Sequence, residues 1–189
     1  MREPVREVTV TLPEWVAERV DYGRVHVTDT DRMRVAVTLA AENVDRGTGG
    51  PFGAAVFDSA GHLVSAGVNR VVPSVNSSLH AEIVALMMAQ ARLGTYTLGE
   101  AGEVHELFTS CEPCAMCLGA TQWSGVARVV WAATREDAGR LDFDEGPVFD
   151  ASYEYLRARG IRLEAGPLRA EAAAILARYG ESGGEIYNG

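Results

Sequence analysis

The sequence predicts an α/β protein with three layers in α/β/α order, built on a mixed sheet of about five strands with helices on both faces. Three observations carry that expectation. Runs rich in β-formers alternate with segments of helical period along most of the chain. The first two runs are separated only by a turn and so pair antiparallel, whereas the next two flank a helix, the interval of a parallel crossover. With 189 residues, 47% of them hydrophobic, the chain can bury one core without disulfide staples.

Taken in order, residues 1–28 read as an appendage, in which Val5 to Leu12 alternates like a short strand and Pro13 opens a brief helix carrying Trp15, Val16 and Val20. From Thr30 or Asp31, either able to cap, Met33, Val37, Leu39, Ala40 and Val44 recur at helical spacing until Gly47, Gly49 and Gly50 stop the helix. Phe52 to Phe57 and Leu63 to Val68 form a hairpin about Asp58-Ser59-Ala60-Gly61-His62. Val72 to Ser78 is loop, delivering His80 to a helix that runs to Leu93 and ends at Gly94.

Glu106 to Thr109 is a short strand, Pro113 to Gln122 a helix with proline at its first position, and Ala127 to Ala133 a strand parallel to the earlier one. Asp150 to Arg159, Ile161 to Glu164 and Ala170 to Tyr179 read as helix, strand and helix. Residues 29–180 thus make one domain without internal repeats, and residues 181–189 a glycine-rich tail.

Composition excludes several function classes. All seventeen basic residues are arginine, so neither Schiff-base chemistry nor a lysine-bearing phosphate loop is available. A net charge of −9 argues against a protein whose main partner is a long nucleic acid and favours a small neutral substrate. No apolar run is long enough for a signal peptide or a membrane span, so a cytoplasmic location is expected. Cys111, Cys114 and Cys117 lie within seven residues, too tightly clustered for a secreted disulfide framework, and read as metal or redox chemistry in a reducing compartment.

The chemistry concentrates in His80-Ala81-Glu82 and, about thirty residues on, Pro113-Cys114-Ala115-Met116-Cys117, each half opening a helix. Cys114 and Cys117, three apart at a helix start, share one face, and the positive helix end favours their thiolates. His80 supplies a third, neutral ligand and leaves one tetrahedral position for water, which is the arrangement of a catalytic rather than a structural zinc. Such an ion brings bound water to a pKa of about 7, and Glu82 is placed to take its proton and return it to a ring nitrogen and a leaving amine. Two alternatives use the same residues: a closed structural site with Cys111 as fourth ligand, and a redox pair of Cys111 and Cys114. Cys111 reads otherwise as a buried small hydrophobe, and His26, His62 and His105 receive no role.

The H-x-E and P-C-x-x-C halves are the signature of the zinc deaminases. Together with Gly50-Pro51-Phe52-Gly53-Ala54, Gly67-Val68-Asn69-Arg70 and Thr109 to Ala120, the sequence resembles the cytidine deaminase-like superfamily, and within it the bacterial guanine deaminases and related purine nucleobase deaminases. The resemblance runs from about Asp31 to Glu145 and implies zinc held by His80, Cys114 and Cys117, with Glu82 as proton shuttle. It further implies a substrate site of Asn69 and Ala81, with Phe52 and Trp123 as aromatic walls and Asp137 facing guanine N–H groups. Tyr187 becomes a residue of a tail that covers a site, and two copies pair as a homodimer.

The plain readings stand beside these: core packing for Phe52 and Trp123, a solvated acidic loop for Asp137 with Glu136, Asp142, Asp144 and Glu145, and a frayed end for the tail. The expected activity is hydrolysis of a purine-type base, guanine to xanthine and ammonia. Its rivals are deamination of a nucleoside (guanosine, cytidine or a pathway-specific analogue) or of a triazine, a tRNA adenosine deaminase, and a non-catalytic module stabilised by structural zinc.

Overall fold

The computed structural model describes residues 3–188; Met1 and Arg2 of the expected appendage and Gly189 of the expected tail lie outside them. A five-stranded sheet in the order β2-β1-β3-β4-β5 forms the middle layer, with β1 Gly53–Asp58, β2 Leu63–Val68, β3 His105–Cys111, β4 Arg128–Ala133 and β5 Arg162–Ala165. β1 pairs antiparallel with β2 and β3, whereas β3, β4 and β5 run parallel. The mixed pattern follows from the connections: a four-residue turn joins β1 to β2, and helices join the parallel strands.

Alternation along the strands divides the core in two. On one face Phe57, Phe108 and Val130 pack with Met33, Ala36 and Val37 of α2 (Asp29–Asp45) and with Ile175 and Leu176 of α8 (Arg169–Glu181). On the other, Val56, Leu107 and Val129 meet Ala81, Ala85 and Leu86 of α4 (Ala81–Leu93), Leu118 of α5 (Ala115–Ser124) and Leu156 of α7 (Asp150–Ala158). The glycine at position 67 lets α4 sit hard against β2: a Cβ there would lie 2.3 Å from the Ala81 carbonyl oxygen. That close approach fixes where the start of α4, and His80 with it, stands relative to the sheet.

The structure corrects several local expectations. Val5 to Leu12 forms no strand: the segment pairs with neither edge of the sheet, β2 or β5, and Val5 and Val8 are exposed. The helix expected after Pro13 is present as α1 (Glu14–Arg19), and its Trp15 and Val16 are buried with Leu39, Ala66 and Val68. The segment read as loop from Val72 contains a short helix, α3 (Val71–Ser74). Thr28, not Thr30 or Asp31, caps α2, in a reciprocal capping box with Asp31. α5 begins at Ala115, so Pro113 precedes the N-cap residue Cys114 instead of taking the first helical position.

Candidate active site

His80 and Cys114 occupy equivalent places, each the N-cap of a helix with extended backbone (φ −66°, ψ 156° and φ −68°, ψ 174°). A residue there projects its side chain off the helix end, where the unpaired amides of the first turn favour negative charge. Cys117, one turn into α5, turns its thiol back to the same point. The ligand atoms of His80, Cys114 and Cys117 all lie within 4.8 Å of one another, and Cys114 Sγ is 3.5 Å from His80 Nδ1. A tetrahedral zinc with Zn–S of about 2.3 Å and Zn–N of about 2.05 Å sets its donors about 3.5 Å apart, so the spacing fits.

The protonation states agree with a cation site. Hydrogen bonding from Cys117, opposed by burial and assisted by His80, lowers the Cys114 thiol to about 4, whereas the bond to Cys114 and burial push Cys117 well up. The pair therefore shares one proton, which a divalent cation displaces. Cys111 stays out of the cluster: its thiol is buried, points to the Thr134 carbonyl at 3.5 Å, and is pushed up by burial. Neither the closed four-ligand site nor the Cys111–Cys114 redox pair is what this arrangement builds.

Glu82, 6% exposed, lines the same pocket. Burial, and after it the Cys114 thiolate, raises its carboxyl to about 7. A group so poised both accepts and releases protons near neutral pH. Facing it in the pocket stands Glu145, raised to about 8 by burial and by Cys114 and Glu82. By sequence Glu145 belongs to a solvated acidic loop. The loop is instead drawn inward: the Ala115 N–H at the start of α5 donates to the Glu145 carbonyl at 2.9 Å.

Aromatic rings close the remaining sides. Phe52 and Phe143 meet edge to face at 5.2 Å, and Tyr187 sits 5.2 Å from Phe143 and 6.4 Å from the His80 ring. The tail is thus folded onto the pocket of its own chain, with the Tyr187 phenol buried and lacking a hydrogen-bond partner among the described residues. Beside it, Asn69 is fully buried; its Oδ1 accepts from the Val71 N–H at 3.2 Å while Nδ2 is unpartnered. Phe143 was missed in the sequence, its burial arising only when α8 and the tail pack over it.

Two expected substrate residues lie elsewhere. Trp123 is 75% exposed on the outer face of α5 beside Met87 and Tyr96, pointing away from Glu82, because α5 turns that position outward. Asp137 is buried but faces protein: it completes a capping box with Thr134 at the start of α6 (Arg135–Gly139) and accepts from Arg169 at 2.9 Å and Arg140 at 3.1 Å. The Thr134-Arg135-Glu136-Asp137 spacing was the available signal.

Arg169 and the Thr134 amide hold the Asp137 carboxyl down at about 2, from 3.8. Its stabilising effect is complete above pH 4 and disappears as pH falls towards 2. With both arginines half exposed, screening reduces the effect to about 1 kcal/mol. Asp137→Asn is expected to lower thermal stability by that amount at pH 7, to match the parent near pH 2, and to leave turnover unchanged; melting curves across pH check it.

Comparisons with known proteins agree with this geometry. Residues 27–133, more than half the chain, match the family described as the cytidine and deoxycytidylate deaminase zinc-binding region. The guanine deaminase of Bacillus subtilis strain 168 is 41% identical over 117 residues, which span 62% of this chain and 72% of that protein. A solved guanine deaminase from Nitrosomonas europaea superposes with a TM-score of 0.88 at 41% identity, covering 95% of this chain and all of that one. The crystal structure of NE0047 in complex with 2,6-diaminopurine gives a TM-score of 0.88 at 43% identity, covering 95% and 96% of the two chains.

Proposed function

The chain belongs to the cytidine and deoxycytidylate deaminase zinc-binding family, and from that premise we propose that it hydrolyses guanine to xanthine and ammonia with one zinc ion per chain. The carrying observation is the three-donor cluster with a buried, half-ionised carboxyl at its side, in a chain about 40% identical to guanine deaminases. Residues 29–180 form the catalytic domain, with 1–28 as appendage and 181–189 as tail.

His80, Cys114 and Cys117 would hold the zinc, which when bound would supply a water made nucleophilic at neutral pH and a positive charge at the site. Glu82 takes a proton from the attacking water and gives it to the ring nitrogen adjacent to that carbon. Once the new C–O bond has formed, the same carboxyl takes the remaining hydroxyl proton and delivers it to the amine as the C–N bond breaks, so one water enters and one ammonia leaves. The Asn69 Nδ2 and the Ala81 N–H in the first turn of α4, where helix amides lack intrahelical partners, donate to the base's acceptors. Glu145, in the role expected of Asp137, accepts from guanine N–H groups and from the leaving amine. Phe52, Phe143 and Tyr187 enclose the ring and exclude water.

Eleven of the seventeen arginines are already held in ion pairs with carboxylates among the described residues. An arginine-lined tRNA groove is not built from such residues, which favours a free base. The decisive assay is ammonia release from guanine, guanosine, adenine, adenosine, cytosine and cytidine by zinc-loaded protein. Guanine is expected to be turned over fastest; equal or faster release from a cytosine compound or a nucleoside overturns the choice of base.

Two further features belong to this reading. The exposed Met87, Tyr96, Met116 and Trp123 on α4, α5 and the loop between them suit a second copy of the chain, so the active form is a homodimer. Sedimentation of the parent as a dimer and of a Trp123→Asp variant as a monomer checks this. No helix of the described residues is long and apolar enough to cross a membrane, and three free cysteines fit a cytoplasmic location.

A further inference from the structure

The loop from Asp142 to Gly146 carries two pocket residues, Phe143 and Glu145, without regular structure of its own. Asp142 takes a left-handed backbone, φ 66°, where a residue with a Cβ gains no intrinsic preference. From the inner side the loop is fastened by the Ala115 N–H to the Glu145 carbonyl. At its start the Asp142 N–H donates to the Gly139 carbonyl, Phe143 packs on Tyr179 and Tyr187, and one polar side chain of the tail ties the backbone at the pocket rim. Asn188 Oδ1 accepts from the Asp144 N–H at 2.8 Å, and Asn188 Nδ2 donates to the Asp142 carbonyl at 2.7 Å. One amide thus spans the two ends of the segment Asp142-Phe143-Asp144, using a donor and an acceptor in a pair that no other residue type of that size supplies.

We propose that Asn188 is a positioning residue: from the rim of the pocket its amide clamps the 142–144 turn and so holds the Glu145 carboxyl at the substrate. The proposal rests on the reading of Glu145 as a substrate-contacting acid. Asn188 stands at the rim of the same pocket, exposed, and makes no hydrogen bond to the three metal donors or to Glu82; both hydrogen bonds of its amide go to the 142–144 backbone, so its effect on turnover is assigned to the loop. A carboxyl displaced by about 1 Å loses up to about a hundredfold in rate, whereas binding of the ring between aromatic walls is spared.

Asn188→Ala is therefore expected to lower kcat on guanine about 10- to 100-fold with KM changed less than about threefold, and to leave zinc content and melting temperature as in the parent. The Asp144 amide exchanges hydrogen faster in the variant, without substrate present. In a Glu145→Gln background the same substitution adds nothing further, since the group it positions is gone. An equal fold-loss in both backgrounds, or an unchanged kcat in the single variant, overturns the role of Asn188 alone. Full turnover by Glu145→Gln removes Glu145 from the chemistry and this proposal with it.

Discussion

Glu82→Gln is expected to lower guanine turnover by roughly 10³–10⁴-fold while one zinc per chain remains bound. The amide has the shape of the carboxyl and fills the same buried place, but it cannot take a proton from water or hand one to a ring nitrogen and a departing amine. Stability moves the other way. In zinc-free protein the Glu82 carboxyl is raised from 4.5 to about 7 by burial and by the Cys114 thiolate. The folded state therefore binds more protons than the unfolded one between those values, and ionisation costs stability as pH rises. Glutamine removes that cost, so the zinc-free variant melts no lower than the zinc-free parent at pH 8. Kinetics of ammonia release, metal analysis and melting curves together separate a chemical role from a structural one; retained turnover with zinc bound contradicts the assignment.

Cys117→Ser carries the second large effect. Cys117 is fully buried on α5, and a serine hydroxyl there replaces a thiolate donor with a neutral oxygen. Zinc affinity is expected to fall by more than the roughly 10- to 100-fold that loss of an outer partner of a metal ligand costs, and turnover falls with it. Excess zinc restores part of the activity if the loss is one of occupancy. The parallel Cys111→Ser substitution leaves zinc affinity unchanged, because the Cys111 thiol faces the Thr134 carbonyl and not the donor cluster. Competition against a metal indicator measures both affinities.

The contrast between Cys111 and Cys117 shows what the sequence made legible. The three lie evenly three residues apart, so what separates Cys114 and Cys117 from Cys111 is the helix start expected at Pro113: the first two fall on one face of it and the third ends a strand. His80-Ala81-Glu82 was equally legible, a loop followed by an apolar helical pattern, and so were the antiparallel pair β1–β2 and the parallel pair β3–β4. What escaped depends on contacts between distant segments. Glu145 and Phe143 look like part of a solvated acidic loop until α8 and the tail fold over them, and no local pattern announces that burial.

Asp137 is a different case. Its local signal, threonine three residues before an acid, is that of a capping box, and the carboxyl takes that role instead of the substrate contact that the resemblance implies. Trp123 shows the limit of reading an aromatic residue as a ring wall: its place on α5 faces away from the pocket, towards the surface suited to a second chain. The strand expected from Val5 to Leu12 is absent: alternation alone does not make a strand, and the segment joins neither open edge of the sheet.

X-ray absorption at the zinc edge of the loaded protein addresses the heart of the matter, an ion gripped by three side chains and open on the fourth side to the pocket of Glu82. The expected spectrum has two sulfur neighbours at about 2.3 Å, one imidazole nitrogen and one further light atom that exchanges with added ligand. Three sulfur neighbours, or a fourth position filled by a protein group that no ligand displaces, would contradict it.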